Sequence, residues 1–162
     1  DISNITDPKE ASVLSLSPVE NPEEGRWTWA YSEAMYEHKA FQYWGPKEML
    51  AVPLSTYRWV DDSTNEGYSW HYEYVSKAII VNVNESSGDM FIHGEINHSS
   101  LANSGESNYW WGGEQNIRRT IFMGDFIYAI SGAGITVHNL DSMEQTDIVA
   151  FAIEMPDYYV AY

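Results

Sequence analysis

A chain of 162 residues with 44% hydrophobic and 15% aromatic content has the length of one ordinary domain and ample apolar side chain for a core, which excludes a disordered chain. Its 24 acidic residues against 8 basic ones give a formal net charge of −16, which repels nucleic acid and anionic membrane and suits cations, metal ions or a salty medium. With no cysteine, disulfides, thiolate catalysis and Cys-ligated metals are excluded, and no apolar run approaches the ~18 residues of a spanning helix.

The amino end starts at Asp1 without a basic segment followed by an apolar one, so any signal peptide is expected upstream of it. Asp1–Ser17 reads as an apolar strand, a turn rich in Asx and Ser, and a second apolar strand. The same pattern returns at Ala78–Ile96 and Gly134–Ile153, each time with further strands ahead of it; the first copy has none. A repeat that cannot bury its faces alone needs neighbours on both sides.

Ser32–Phe41 places Ala34, His38 and Phe41 at helical spacing but ends without a cap, and a strand over Tyr36–Tyr43 is the better expectation. Trp44–Glu48 supplies a turn with Gly and Pro, and Met49–Tyr57 the antiparallel return, in which Pro53 marks an edge or a bulge. Trp59–Ser69 reads as a long acidic loop, Trp70–Asn82 as a third strand, Asn84–Gly88 as a turn and Met90–Asn97 as a fourth strand. After a second long loop, Ser99–Gln115, a more compact four-stranded unit follows: Arg118–Met123, a Gly124-Asp125 hairpin turn, Phe126–Ser131, Ile135–Asn139 and Asp147–Ile153. The domain plan is therefore a single all-β segment: 1–30 the end of one unit and a linker, 31–98 a second unit, 99–117 a loop, 118–153 a third unit, and 154–162 a tail.

Several segments in order, from Asp1–Lys9 through Tyr31–Phe41, Leu50–Pro53, Ile96–His98 and Arg118–Ser131 to Gly134–Asp141, resemble the carboxy-terminal part of a family of secreted bacterial and archaeal β-propeller proteins. The resemblance covers roughly Asp1 to Phe151. It implies antiparallel four-stranded blades, about two complete and part of a third, and so an incomplete propeller, since such rings close with about four to eight. It also implies export to the periplasm or cell surface, and no activity transfers with it. The partners expected from it are the remaining blades, from the same precursor or from identical subunits.

Five histidines are available for chemistry. His93 and His98 stand five apart on one strand, so simple alternation puts them on opposite faces. His38 and His98 are expected to approach the same end of the sheet, where Glu37 or Glu33 would complete a His-ligated transition-metal shell. The plainer reading is that each imidazole hydrogen-bonds a neighbouring blade and holds its register. Asp61, Asp62, Asn65 and Glu66 concentrate oxygen donors suited to Ca2+, although a solvated turn uses the same residues. Trp110 and Trp111 in a Gly-rich loop, and Trp70-His71 beside the acidic loop, are the candidate stacking surfaces for a glycan or peptide. The sequons at Asn4, Asn84 and Asn97 are close to chance in a chain this rich in Asn and Ser.

No nucleophile elbow, phosphate-binding glycine loop or His-Glu-x-x-His occurs. The expected function is accordingly a non-enzymatic binding or scaffolding module of an exported propeller, acting through its inter-strand loops. The alternative is a metal-binding protein or metal-dependent enzyme built on His38 and His98.

Overall fold

The computed structural model describes residues 3–16, 30–61, 70–101 and 113–151, over 58–61, 70–73, 100 and 113 as backbone alone. It is all-β, with two antiparallel sheets and short 3-10 turns as its only helical pieces among those residues. The first sheet takes β1 (Ala30–Tyr31), β2 (Gln42–Trp44), β3 (Met49–Asp61), β4 (Trp70–Val83) and β5 (Met90–Asn97). β1 and β2 are two short pieces laid along the same edge of β3, so the sheet has four rows. The second sheet is an up-and-down meander of β6 (Arg119–Met123), β7 (Phe126–Ile130), β8 (Gly134–Asn139) and β9 (Gln145–Ala150).

The strand expected over Tyr36–Tyr43 is mostly not a strand. Glu33–Met35 and His38–Ala40 form 3-10 turns, and extended structure resumes only at Gln42. Pro53 explains the break. It lies on β3 between the residues that pair with β2 (Met49 to Ala51) and those that pair with β1 (Ser55 and Thr56), and it has no N–H to offer a neighbouring strand. The Ser32 hydroxyl satisfies the Pro53 carbonyl instead, while its oxygen caps the first 3-10 turn by accepting from the Ala34 N–H at 3.3 Å. β3 also runs past Tyr57 to Asp61, pairing with β4 down to Trp70, so the acidic loop is shorter than expected and its residues 62–69 lie outside the described part.

Repetition is plainest in the turns. Asn84 Oδ1 accepts from the N–H groups of Ser86 and Ser87, and Asn139 Oδ1 accepts in the same way from Asp141 and Ser142. Asn4 Oδ1 accepts from the Thr6 N–H, so the first copy keeps the turn although residues 3–16 contain no strand. Gly124-Asp125 is the two-residue hairpin loop, with φ of 61° at Gly124, where any other residue is strained.

The two sheets pack face to face. Met49, Ala51, Ala78, Ile80 and Ile96 from the first meet Ile117, Phe122, Ile127, Ala129 and Leu140, and the Trp44 ring stacks on Phe122 at 6.3 Å. The opposite face of the first sheet, with Leu54, Ile79 and Val81, is covered by Leu14 and Leu16 of the amino-terminal segment. Adjacent strands of a blade alternate apolar side chains on both sides, which requires a neighbour on each. One defect lies inside the contact: Thr120 is buried with no hydrogen-bond partner for its hydroxyl among the described residues. Thr120→Val keeps the shape and removes the orphan, and is expected to raise stability by about 1 kcal/mol in urea unfolding.

Candidate functional site

Three of the five histidines sit in the seam between the sheets, each from a different place. His98, just past the end of β5, is fully buried; its Nε2 lies 2.8 Å from Thr136 Oγ1 and its Nδ1 3.0 Å from Ser131 Oγ. His138 on β8 adds Nε2 at 3.0 Å from the same threonine hydroxyl and Nδ1 at 3.3 Å from the Met143 carbonyl. A carbonyl only accepts, which makes His138 Nδ1 a donor, and with both imidazoles neutral the remaining bonds follow in turn. His138 Nδ1–H donates to Met143, and its Nε2 accepts from Thr136. The Thr136 oxygen accepts from His98 Nε2–H, and His98 Nδ1 faces the Ser131 hydroxyl, whose one proton is divided between this nitrogen and the Gly134 carbonyl at 3.3 Å and whose oxygen takes the Ala133 N–H at 3.2 Å.

This order requires both imidazoles to be neutral. Burial pushes the His98 pKa down to about 4, with the neighbouring His138 adding to the effect. Burial also lowers that of His138, against the opposing pull of its bond to the Met143 carbonyl.

His93 does not face away from His98. β5 carries a β-bulge where the register against β4 shifts between Ile80 and Val81, and the extra residue is His93 itself. Its Nε2–H donates to the Leu140 carbonyl at 2.6 Å and its Nδ1 accepts from Asn82 Nδ2 at 3.3 Å. Beside it, Gly94 lets Met143 approach: a Cβ there would stand 2.7 Å from Met143 Cγ. Ile117 closes the same seam, its N–H donating to Ser76 Oγ at 2.9 Å. At the opposite end Lys47 from the β2–β3 turn reaches Asp125 and Asp141, each at 3.0 Å, and its ammonium is held above its ordinary pKa by Asp141 first and Asp125 second.

The residues expected to hold a metal are placed apart in character. His38 stands on the second 3-10 turn with its side chain 87% exposed, beside Glu37 at 3.5 Å, whereas His98 is buried with both ring nitrogens engaged by hydroxyls. Glu37 is held below the usual carboxylate range chiefly by the Lys39 N–H it accepts, against the opposing pull of desolvation and with lesser help from the charges of His38, Arg119 and Lys39. Among the described residues no group of three His, Asp or Glu side chains converges. Of the calcium candidates, Asp61 ends β3 opposite Trp70, and Asp62, Asn65 and Glu66 lie outside the described residues. So do Trp110 and Trp111. Trp70 and His71 are the first two residues of β4, in register with Asp61 and Val60.

Sequence reasoning missed Ser131, Thr136 and His138. The signal was present: Gly134, Thr136 and His138 alternate on β8, so all three fall on the face turned to the first sheet.

The ends of the sheets differ. At the Lys47 end the connections are tight, over residues 45–48, 84–89, 124–125 and 140–144. At the other end β3 and β4 are joined through 62–69, and β5 and β6 through 98–118. The lateral edges differ as well. β6 lies against β2, β3 and the second 3-10 turn, whereas β5 and β9 at the far edge make no comparable contact. The backbones of the two sheets therefore lie closest at the β2–β6 edge, while at β5 the gap is bridged by the longer side chains of His93, His98 and Met143; sheets spaced in this way radiate from an axis, and β1, β2 and β6 are the strands nearest to it.

A family model described as a Beta propeller domain matches residues 1–143. No curated protein and no solved structure matches the chain.

Proposed function

This chain belongs to the beta propeller domain family, and from that premise we propose that it supplies blades to a larger ring and works as a non-enzymatic binding and scaffolding module. The observation that carries the reading is the two-sided character of the β6–β9 sheet. Its inner face holds Thr120, Phe122, Ile127, Ala129 and Thr136 against the first sheet. Its outer face holds Ile121, Met123, Phe126 and Val149, between 37% and 58% exposed. A sheet apolar on both sides is an interior blade, and the blade that covers this outer face comes from the same precursor or from an identical subunit.

The binding surface in this reading is the end where the long connections 62–69 and 98–118 are joined, because specificity is carried where loops are long and free to vary. Trp70-His71 at the start of β4 flanks the first of these connections and Trp110-Trp111 falls within the second, and a glycan or peptide is the ligand class their aromatic character suits. The acid excess supports an exported or salt-exposed setting. A metal held by His38 and His98 gains nothing from one exposed and one fully hydrogen-bonded imidazole.

Light scattering tests the reading. The wild-type chain is expected to associate through its uncovered face, and Met123→Lys combined with Val149→Lys to leave it monomeric. A wild-type chain that is monomeric and binds no hydrophobic dye removes the reading.

A further inference from the structure

We infer that residues 32–41 seat in the central channel of the ring and close it at this blade; the inference rests on the propeller reading above. The strand nearest the axis is interrupted: β1 ends at Tyr31 and β2 begins at Gln42, and the ten residues between leave the edge of β3 as two 3-10 turns. An excursion from an edge strand runs either across a face of its sheet or beyond its edge. This one stays at the edge, because its second turn lies against β6, the axial strand of the next blade. Ser32, anchored on the Pro53 carbonyl, and Ala40, fully buried, fix its two ends.

Between those anchors the segment turns apolar side chains away from its own blades. Met35 is 69% and Tyr36 78% exposed, and Phe41 is half exposed. The Tyr36 ring stacks on Tyr31 at 5.9 Å, so the tip is held in place. A run of two large apolar side chains on an ordinary solvent turn is unfavourable. The occupant that fits around them is the set of axial strands from the blades that complete the ring, which converge on the space these side chains enter. The polar members of the segment, Glu33, Glu37 and His38, then stand within the channel mouth beside Arg119 of β6. A channel closed in this way leaves ligand binding to the long-connection end and gives no path through the axis.

Methionine oxidation by hydrogen peroxide, mapped by mass spectrometry on the protein purified from its source cells, tests this directly. The reference is the same protein oxidised in denaturant. Met35 is expected to be oxidised about tenfold more slowly in the native protein than in the denatured one, although this chain alone leaves it largely open. Met123 on the outer face of β6–β9 reports ring closure in the same spectrum. Slow oxidation at Met123 with Met35 reacting at the denatured rate overturns the channel plug and leaves the ring intact. Fast oxidation at both overturns the ring reading and the plug with it.

Discussion

Lowering the pH from 6.5 to about 4 is expected to remove about 3 kcal/mol of folding stability through His98 alone, at 1.36 kcal/mol for each unit by which the folded pKa is depressed. In the folded protein burial keeps the imidazole neutral down to about pH 4, whereas in the unfolded chain it takes a proton near 6.5. The unfolded state therefore binds the extra proton in this window. The contribution is fully present above pH 6.5 and is lost as the pH falls toward 4. His138, lowered in the same direction by its burial, steepens the loss.

The bond order explains why the proton is refused. A second proton on His138 would set two donors against the Thr136 oxygen and leave the threonine hydrogen without its acceptor. Carboxylates titrate in the lower part of the same range, so the measurement is a difference. Urea unfolding of the wild type and of His98→Gln is compared from pH 7.5 to 4. The variant is expected to lose about 2 kcal/mol at pH 7.5, where Ser131 and Thr136 lose their common partner. It is also expected to show a slope against pH shallower by one proton. Parallel slopes would mean that His98 is already charged in the fold and that the order of bonds derived for the seam is wrong.

How far the sequence reached can be told from particular residues. The repeat was legible because each copy carries its turn in local chemistry: Asn84 and Asn139 bond the N–H groups two and three residues on, and Asn4 the one two residues on, without help from the rest of the molecule. The strands of the second sheet were legible for a similar reason, since period-two alternation and a Gly-Asp hairpin are local signals. Pro53 reads as an edge or bulge, and it stands opposite an interruption; that the interrupted strand is the one formed by Ala30–Tyr31 and Gln42–Trp44 is a matter of pairing, which no local pattern carries. The face of His93 was misread because one bulged residue inverts every parity argument across it, and bulges leave no composition signature. The relay from His98 through Ser131, Thr136 and His138 is a contact between blades, so it is legible as four polar residues and illegible as a chain of bonds. His38 and His98 show the same limit: both belong to matching segments, yet one faces solvent and the other lies in the seam.

Ile127→Ala and Ile121→Ala, one on each face of the β6–β9 sheet, are expected to differ by several kcal/mol in this chain. Ile127 is 0% exposed and packs in the inter-sheet core, so removing three carbons there leaves a cavity that the stiff strands on either side do not fill; the expected loss is about 3 to 4 kcal/mol in urea unfolding. Ile121 is 44% exposed on the outer face, and the same truncation is expected to cost about 1 kcal/mol or less, mostly through reduced β propensity. The two positions lie on the same strand pair, with Ile121 opposite Tyr128 and Ile127 opposite Phe122, so intrinsic strand effects nearly cancel in the comparison. What is left is the presence of a neighbouring blade on one side and its absence on the other. In the ring proposed above another blade would cover the outer face, and the cost of Ile121→Ala is then expected to climb to that of Ile127→Ala. Equal costs in the chain alone would mean that something already covers the outer face, and the case for a missing neighbour would fail at its source.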